Sequence, residues 1–170
     1  AILALLTFLV YRLLSFIGSR FSATVACVCF LVVFALAQFT NTGNYNFICP
    51  YSHELTHGLV LSFGAIYLLS RYQGMPRSIY IGLDGLGLGL ILRTKVEVFL
   101  AAALALIVGL IFILRQERPA TTRLLRLLLF FVVCLLGPLI CFVAYFNFSL
   151  HMPVGQTLRS IFFSYIAVFN

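Results

Sequence analysis

The sequence predicts an all-α protein, a polytopic transmembrane helical bundle of about six to seven helices, with residues 1–170 forming a single transmembrane domain. Three observations lead there. The composition is 63% hydrophobic against 9% charged, with a mean hydropathy of +1.14, which no ordinary water-soluble domain approaches. The apolar residues run in stretches close to the roughly 20 residues that a helix needs to cross a bilayer. Ten of the fifteen charged residues, in turn, lie in the short connections between those stretches, and most of the others lie near the end of a stretch.

The apolar stretches run from Ala1 to Ile17, Ser22 to Phe39, Thr56 to Ser70, Ile79 to Leu92, Val96 to Leu114 and Leu124 to Phe146, with a seventh starting near Leu158 and reaching Asn170. The third and fourth stretches are short, so flanking Tyr, Arg and His side chains are expected to extend them into the interface. The sequence opens and closes inside apolar runs, as an internal segment of a longer protein would.

The basic residues sort by connection. Arg12, Arg20, Arg71, Arg77, Arg115, Arg118, Arg123 and Arg126 flank or occupy the odd-numbered connections, whereas Arg93, Lys95 and Arg159 lie in the even-numbered ones. Because cytoplasmic connections carry the excess of Lys and Arg, the even-numbered connections are expected on the extracytoplasmic face. That face would then hold His53, His57 and His151, two of the four acidic residues, Glu54 and Glu97, and most of the Asn. The net charge of +7 thus reflects topology, not a nucleic-acid-binding surface, which would gather its cations on one soluble face. Cys27, Cys29, Cys134 and Cys141 lie in predicted helices and Cys49 in a connection, an odd set without the spacing of a disulfide framework or a metal site.

The first extracytoplasmic connection ends in Pro50-Tyr51-Ser52-His53-Glu54-Leu55-Thr56-His57-Gly58. Pro50 and Ser52 are residues that start helices. On the helix that follows, His53 and His57 share a face one turn apart with Glu54 beside them. His-Glu-x-x-His is the pattern in which two imidazoles bind zinc and the Glu acts as general base in metalloproteases. The third ligand would be Asp84, in Leu83-Asp84-Gly85. Against that reading, polar residues precede the motif, and Asp84 lies nine residues before Arg93, roughly 13 Å deeper at 1.5 Å per residue. An interfacial hydrogen-bonded pair explains the same two histidines without a metal.

The fourth stretch, Gly82-Leu83-Asp84-Gly85-Leu86-Gly87-Leu88-Gly89, places Gly85 and Gly89 four apart, where they admit the backbone of a neighbouring helix. Asp84 is costly in an apolar span and marks a functional position by default, although hydrogen bonding to a neighbouring helix would also account for it. The stretch runs into Arg93-Thr94-Lys95-Val96-Glu97. Two cations flanking a hydroxyl suit a phosphate, the guanidinium as a fork and the ammonium as a point charge. Glu97 is the alternative partner for those cations.

These residues carry a family resemblance. Gly43-Asn44-Tyr45-Asn46-Phe47, Pro50-Tyr51-Ser52-His53-Glu54 with Thr56-His57-Gly58, and the run from Gly85 through Thr94-Lys95-Val96-Glu97 to Ala102 resemble bacterial GT-C membrane glycosyltransferases, relatives of the dolichyl-phosphate-mannose protein mannosyltransferases and the aminoarabinose transferase. The likeness extends from Asn41 to Ser160, including the segment from Ala144 to Arg159. Arg93 stands where the family more often has Leu, and the family's acidic catalytic loop has no counterpart upstream in this sequence. The resemblance implies a bacterial inner-membrane enzyme whose active site faces outward. Its donor would be a polyprenyl-phosphate sugar and its acceptor a glycan, lipid or protein, with inversion at the transferred carbon. It leaves the base open: Glu54 is one candidate, an acid upstream of this segment another. His53, His57, Arg93, Lys95, Glu97 and His151 become candidates for holding sugar or phosphate, without a metal. A transporter, which would line several helices with polar groups, and a non-catalytic membrane scaffold are the other classes considered.

Overall fold

The computed structural model describes residues 1–35, 53–117 and 121–169, and among them every regular element is a helix. The helices are α1 (Ile2–Ile17), α2 (Arg20–Cys29), α3 (His53–Gly74), α4 (Ser78–Ile91), α5 (Val96–Glu117), α6 (Thr121–Leu150) and α7 (Val154–Phe169). Phe30–Ala35 continues α2 as a π-helical turn. Most of the connection between the second and third apolar stretches, including Asn44 and Cys49, lies outside the described residues, as do residues 36–39 of the expected second span and Arg118.

The helices follow the apolar stretches but overrun them. The third is not short: it begins at His53 and ends at Gly74, where hydropathy alone would bound it at Thr56 and Ser70. The sixth gains residues at both ends and the seventh starts at Val154, not Leu158. Hydropathy reads where side chains change polarity, whereas backbone hydrogen bonding continues until capping or proline stops it. Ser19, for example, accepts from the Ser22 N–H at 3.1 Å and fixes the start of α2, a capping bond of the usual kind.

Side-chain contacts give the direction of each helix. Leu9 meets Gly64, and Phe16 stacks near Tyr67 with ring centroids 6.2 Å apart, so α1 runs alongside α3 in the same sense. The Gln73 amide donates to the Gln116 side-chain carbonyl at 3.1 Å, so α5 also runs with α3. Against these, α4 and α6 run in the opposite sense, parallel to each other and in the most extensive helix contact of the molecule. The seam is built on glycine, as the small-residue spacing predicts. A Cβ on Gly82 would strike the Phe130 ring, one on Gly85 the Phe131 carbonyl, and one on Gly89 the Leu135 carbonyl. Close approach of this kind maximises dispersion contact between the two backbones.

The core lies among α3, α4, α5 and the first half of α6, with Leu69, Tyr72, Leu88, Ile91 and Leu106 all buried. Large apolar side chains also cover the outside: Leu104, Val108 and Phe112 on α5, and Leu125, Leu129 and Ile140 on α6, are each more than half exposed. Among the described residues, two helices, Val96–Gln116 and Thr121–Leu150, are long and apolar enough to cross a membrane. Only 6% of the most apolar part of α6 is buried, unlike the core helix of a soluble protein, which buries its apolar residues.

Candidate functional site

Four of the sequence-selected positions, Glu54, His57, Arg93 and Lys95, are brought together at one end of the bundle. Leu92 to Lys95 form the tight turn between α4 and α5. The N–H of Thr94 and its hydroxyl both donate to the Ile91 carbonyl, each at 2.8 Å, closing the C-terminus of α4. The second turn of α3 packs directly on this turn at Gly58. A Cβ there would stand 2.9 Å from Thr94 Oγ1 and 3.0 Å from Val98 Cγ1. Glycine thus permits a close approach that a side chain would crowd, and it sets the exposed side chains of Glu54 and His57 on the helix end beside the turn that carries Arg93 and Lys95.

Arg93 is held from its other side. Its guanidinium lies over the ring of Phe142 in α6, 2.9 Å from the centroid, a cation–π contact. One guanidinium nitrogen, Nη1, is buried without a hydrogen-bond partner among the described residues. Partial burial lowers the proton affinity of the group from its usual value. Lys95 is half-buried and Glu97 exposed. No ion pair joins Glu97 to either cation among the described residues, so the expected alternative partner is not engaged.

His151 lies past the end of α6. It is exposed and adopts a left-handed backbone with φ 53°, a conformation in which His is over-represented. The turn around it is closed by the Asn147 side-chain amide donating to the Met152 carbonyl at 3.0 Å and by the Met152 N–H donating to Phe146 at 3.2 Å. The structure thus gives His151 a turn-forming role. His53 begins α3, but its side chain lies outside the described residues.

Asp84 is elsewhere. It is buried in the middle of α4, and neither carboxyl oxygen has a hydrogen-bond partner among the described residues. The alternative account of Asp84, a hydrogen bond to a neighbouring helix, is not found among the described residues: Leu69, Leu106 and Phe131, which share its cavity, offer only apolar side chains. That cavity, of about 510 Å3, opens between α5 and α6, which scarcely touch each other. Among the described residues, no three His, Cys, Asp or Glu side chains gather closely enough to hold a metal ion.

Sequence reading missed Phe142 and Gly58. Gly58 sits in the motif as the residue after His57, a signal that a close backbone approach was needed there. Phe142 carried no signal, being one of 18 Phe in the chain.

Among the described residues, the fold and this cluster define an all-helical arrangement with two helices long and apolar enough to cross a membrane and a polar site at one end. Comparison with protein-family models, with curated proteins and with solved structures finds no match to the chain.

Proposed function

We propose that the chain belongs to an integral-membrane glycosyltransferase of the GT-C type, which moves a sugar from a polyprenyl phosphate to an acceptor hydroxyl on the extracytoplasmic face. The observation that carries this is the packing of Gly58 on Thr94, which puts a carboxylate and an imidazole beside two cations that have no acidic partner among the described residues. The apolar outer faces of α5 and α6 support embedding in a bilayer. The arginine-rich opposite end supports its orientation.

In this reading Arg93 and Lys95 hold the donor phosphate. The acceptor oxygen attacks the anomeric carbon, the bond from that carbon to the phosphate oxygen breaks, and the acceptor proton passes to a carboxylate. Phosphate leaves as an anion and needs no acid. Glu54 is the carboxylate this segment offers, and His57 is placed to bind sugar hydroxyls. Transfer from a radiolabelled polyprenyl-phosphate sugar, assayed in membranes carrying the full-length protein, tests the scheme. Glu54→Gln should lower transfer by about 100-fold or more with donor binding retained, the scale on which general bases act. Full activity in that variant would move the base to another residue.

One observation favours a second reading, a zinc metalloprotease. The chain is helical from His53 onward, so His53 and His57 stand one turn apart. Asp84 is buried mid-helix, in an apolar cavity, away from the turn that faces them. Stoichiometric zinc in the purified full-length protein, lost on changing both histidines to Ala, would decide for the protease.

A further inference from the structure

At the opposite end of the bundle, an open cavity of about 420 Å3 lies between the first turns of α4 and α6. Ser78, Thr122, Arg123 and Arg126 form its polar part, and Leu127 and Phe130 continue it along α6. Both arginines are exposed, and neither makes an ion pair among the described residues. Acid is scarce there. Glu54 and Glu97 belong to the far end of the bundle and Asp84 to its middle, leaving Glu117 as the remaining acidic residue of the sequence. Arg77, at the cap position of α4, contributes no capping side chain, so N–H groups of that first turn are left for an outside acceptor.

Two forked cations, two hydroxyls and an uncapped helix start call for a phosphate. The apolar continuation calls for more than a phosphate. Leu127 and Phe130 lead from the arginines onto the face of α6 where Leu129 and Val133 are exposed, the direction in which a lipid chain would run from its headgroup. We propose that this cavity binds the phosphate group of an anionic phospholipid, with Arg123 and Arg126 holding the headgroup and Leu127 and Phe130 the start of an acyl chain. Basic recesses between spans on the cytoplasmic side are suited to such lipids. The site rests on the membrane embedding proposed above and is independent of the transferase chemistry.

The test uses the full-length protein purified in detergent, with retained lipid read by native mass spectrometry. The probes are phosphatidylglycerol, phosphatidylcholine and inorganic phosphate. Phosphatidylglycerol should bind, phosphatidylcholine bind at least tenfold more weakly, and millimolar inorganic phosphate fail to displace the lipid. Arg123→Gln should weaken phosphatidylglycerol about tenfold, as loss of one charge-assisted contact implies, and Arg123→Gln with Arg126→Gln should abolish retention. Arg115→Gln removes an equal charge from a basic residue of the same end that does not line the cavity, and should leave binding unchanged. Because Arg123 and Arg126 are exposed, the single variants keep the fold and remain readable if the double variant does not. Equal loss in Arg115→Gln would reduce the effect to diffuse charge and overturn the site. Undiminished binding in Arg123→Gln and Arg126→Gln would also overturn it, and displacement by inorganic phosphate would reassign it to a soluble anion. Recovery of the untreated chain in the soluble fraction of lysed cells would remove the membrane premise separately, before any lipid is added.

Discussion

Gly85 of α4 lies so close to Phe131 of α6 that a Cβ on the glycine would overlap the phenylalanine's backbone carbonyl oxygen. A backbone atom cannot swing aside as a side chain can, so any larger residue there must push two helices apart. Gly85→Leu should therefore destabilise the bundle by about 1–3 kcal/mol, the usual cost of overpacking. Gly87 offers the control, since nothing lies within 4 Å of the position its Cβ would take. Gly87→Ala should be neutral or stabilising by up to about 1 kcal/mol through the lower entropy of alanine. Thermal unfolding of the two detergent-solubilised variants compares them directly. Equal stability would mean that the α4–α6 seam is looser than its geometry indicates.

That seam was legible in the sequence because four-residue glycine spacing has a single geometric consequence on a helix. The all-α class was legible for a similar reason, since apolar runs of span length interrupted by charge admit few other structures. What could not be read was which helices meet. The partner of Gly85 is fixed by the parallel run of α4 and α6, past an α5 that packs mainly on α3 and α4, and no local pattern records that choice. The site divides the same way. His57 and Lys95 were identifiable from residue type and spacing, whereas the stacking of Arg93 on Phe142 depends on a register between α4 and α6 that only packing sets.

Asp84 presents a carboxyl to apolar neighbours with no hydrogen-bond partner among the described residues. A buried polar group left unsatisfied costs about 1–3 kcal/mol. Asp84→Leu should accordingly raise the thermal midpoint of the purified protein, and Asp84→Asn should change it little. A marked fall in the midpoint with Asp84→Leu would show that the carboxyl holds a partner from beyond the described residues. It would then rank as a functional group of the cavity between α5 and α6.

Orientation can be measured independently of any activity. Glu97 is exposed at the end of the bundle that bears the candidate site, and Ser78 is exposed at the end where Arg71, Arg77 and Arg123 gather. In a background without native cysteines, Glu97→Cys should react with a membrane-impermeant maleimide in intact cells, and Ser78→Cys only after permeabilisation, because arginine-rich connections stay inside. The reverse pattern would place the site in the cytoplasm and remove the extracytoplasmic acceptor from the proposed reaction.

The two cations of the α4–α5 turn are held differently, and that difference separates a phosphate site from a helix anchor. Lys95 makes no ion pair among the described residues, while the Arg93 guanidinium is positioned by the ring of Phe142. If both hold the donor phosphate, Lys95→Ala removes a charge-assisted bond worth about 1.5–3 kcal/mol, and polyprenyl-phosphate-sugar affinity should fall roughly ten- to a hundredfold. Lys95→Arg should retain part of it. Phe142→Leu keeps Arg93 but removes the stacking that orients it, a contact worth about 0.5–2 kcal/mol, so affinity should fall about two- to thirtyfold with the charge still present. An anchor behaves otherwise. Lys95→Ala would then lower the thermal midpoint while leaving donor affinity in the folded fraction unchanged, and Phe142→Leu would do the same. Donor binding to the folded fraction of both variants distinguishes the cases, and unaltered affinity in both would take the phosphate away from this turn.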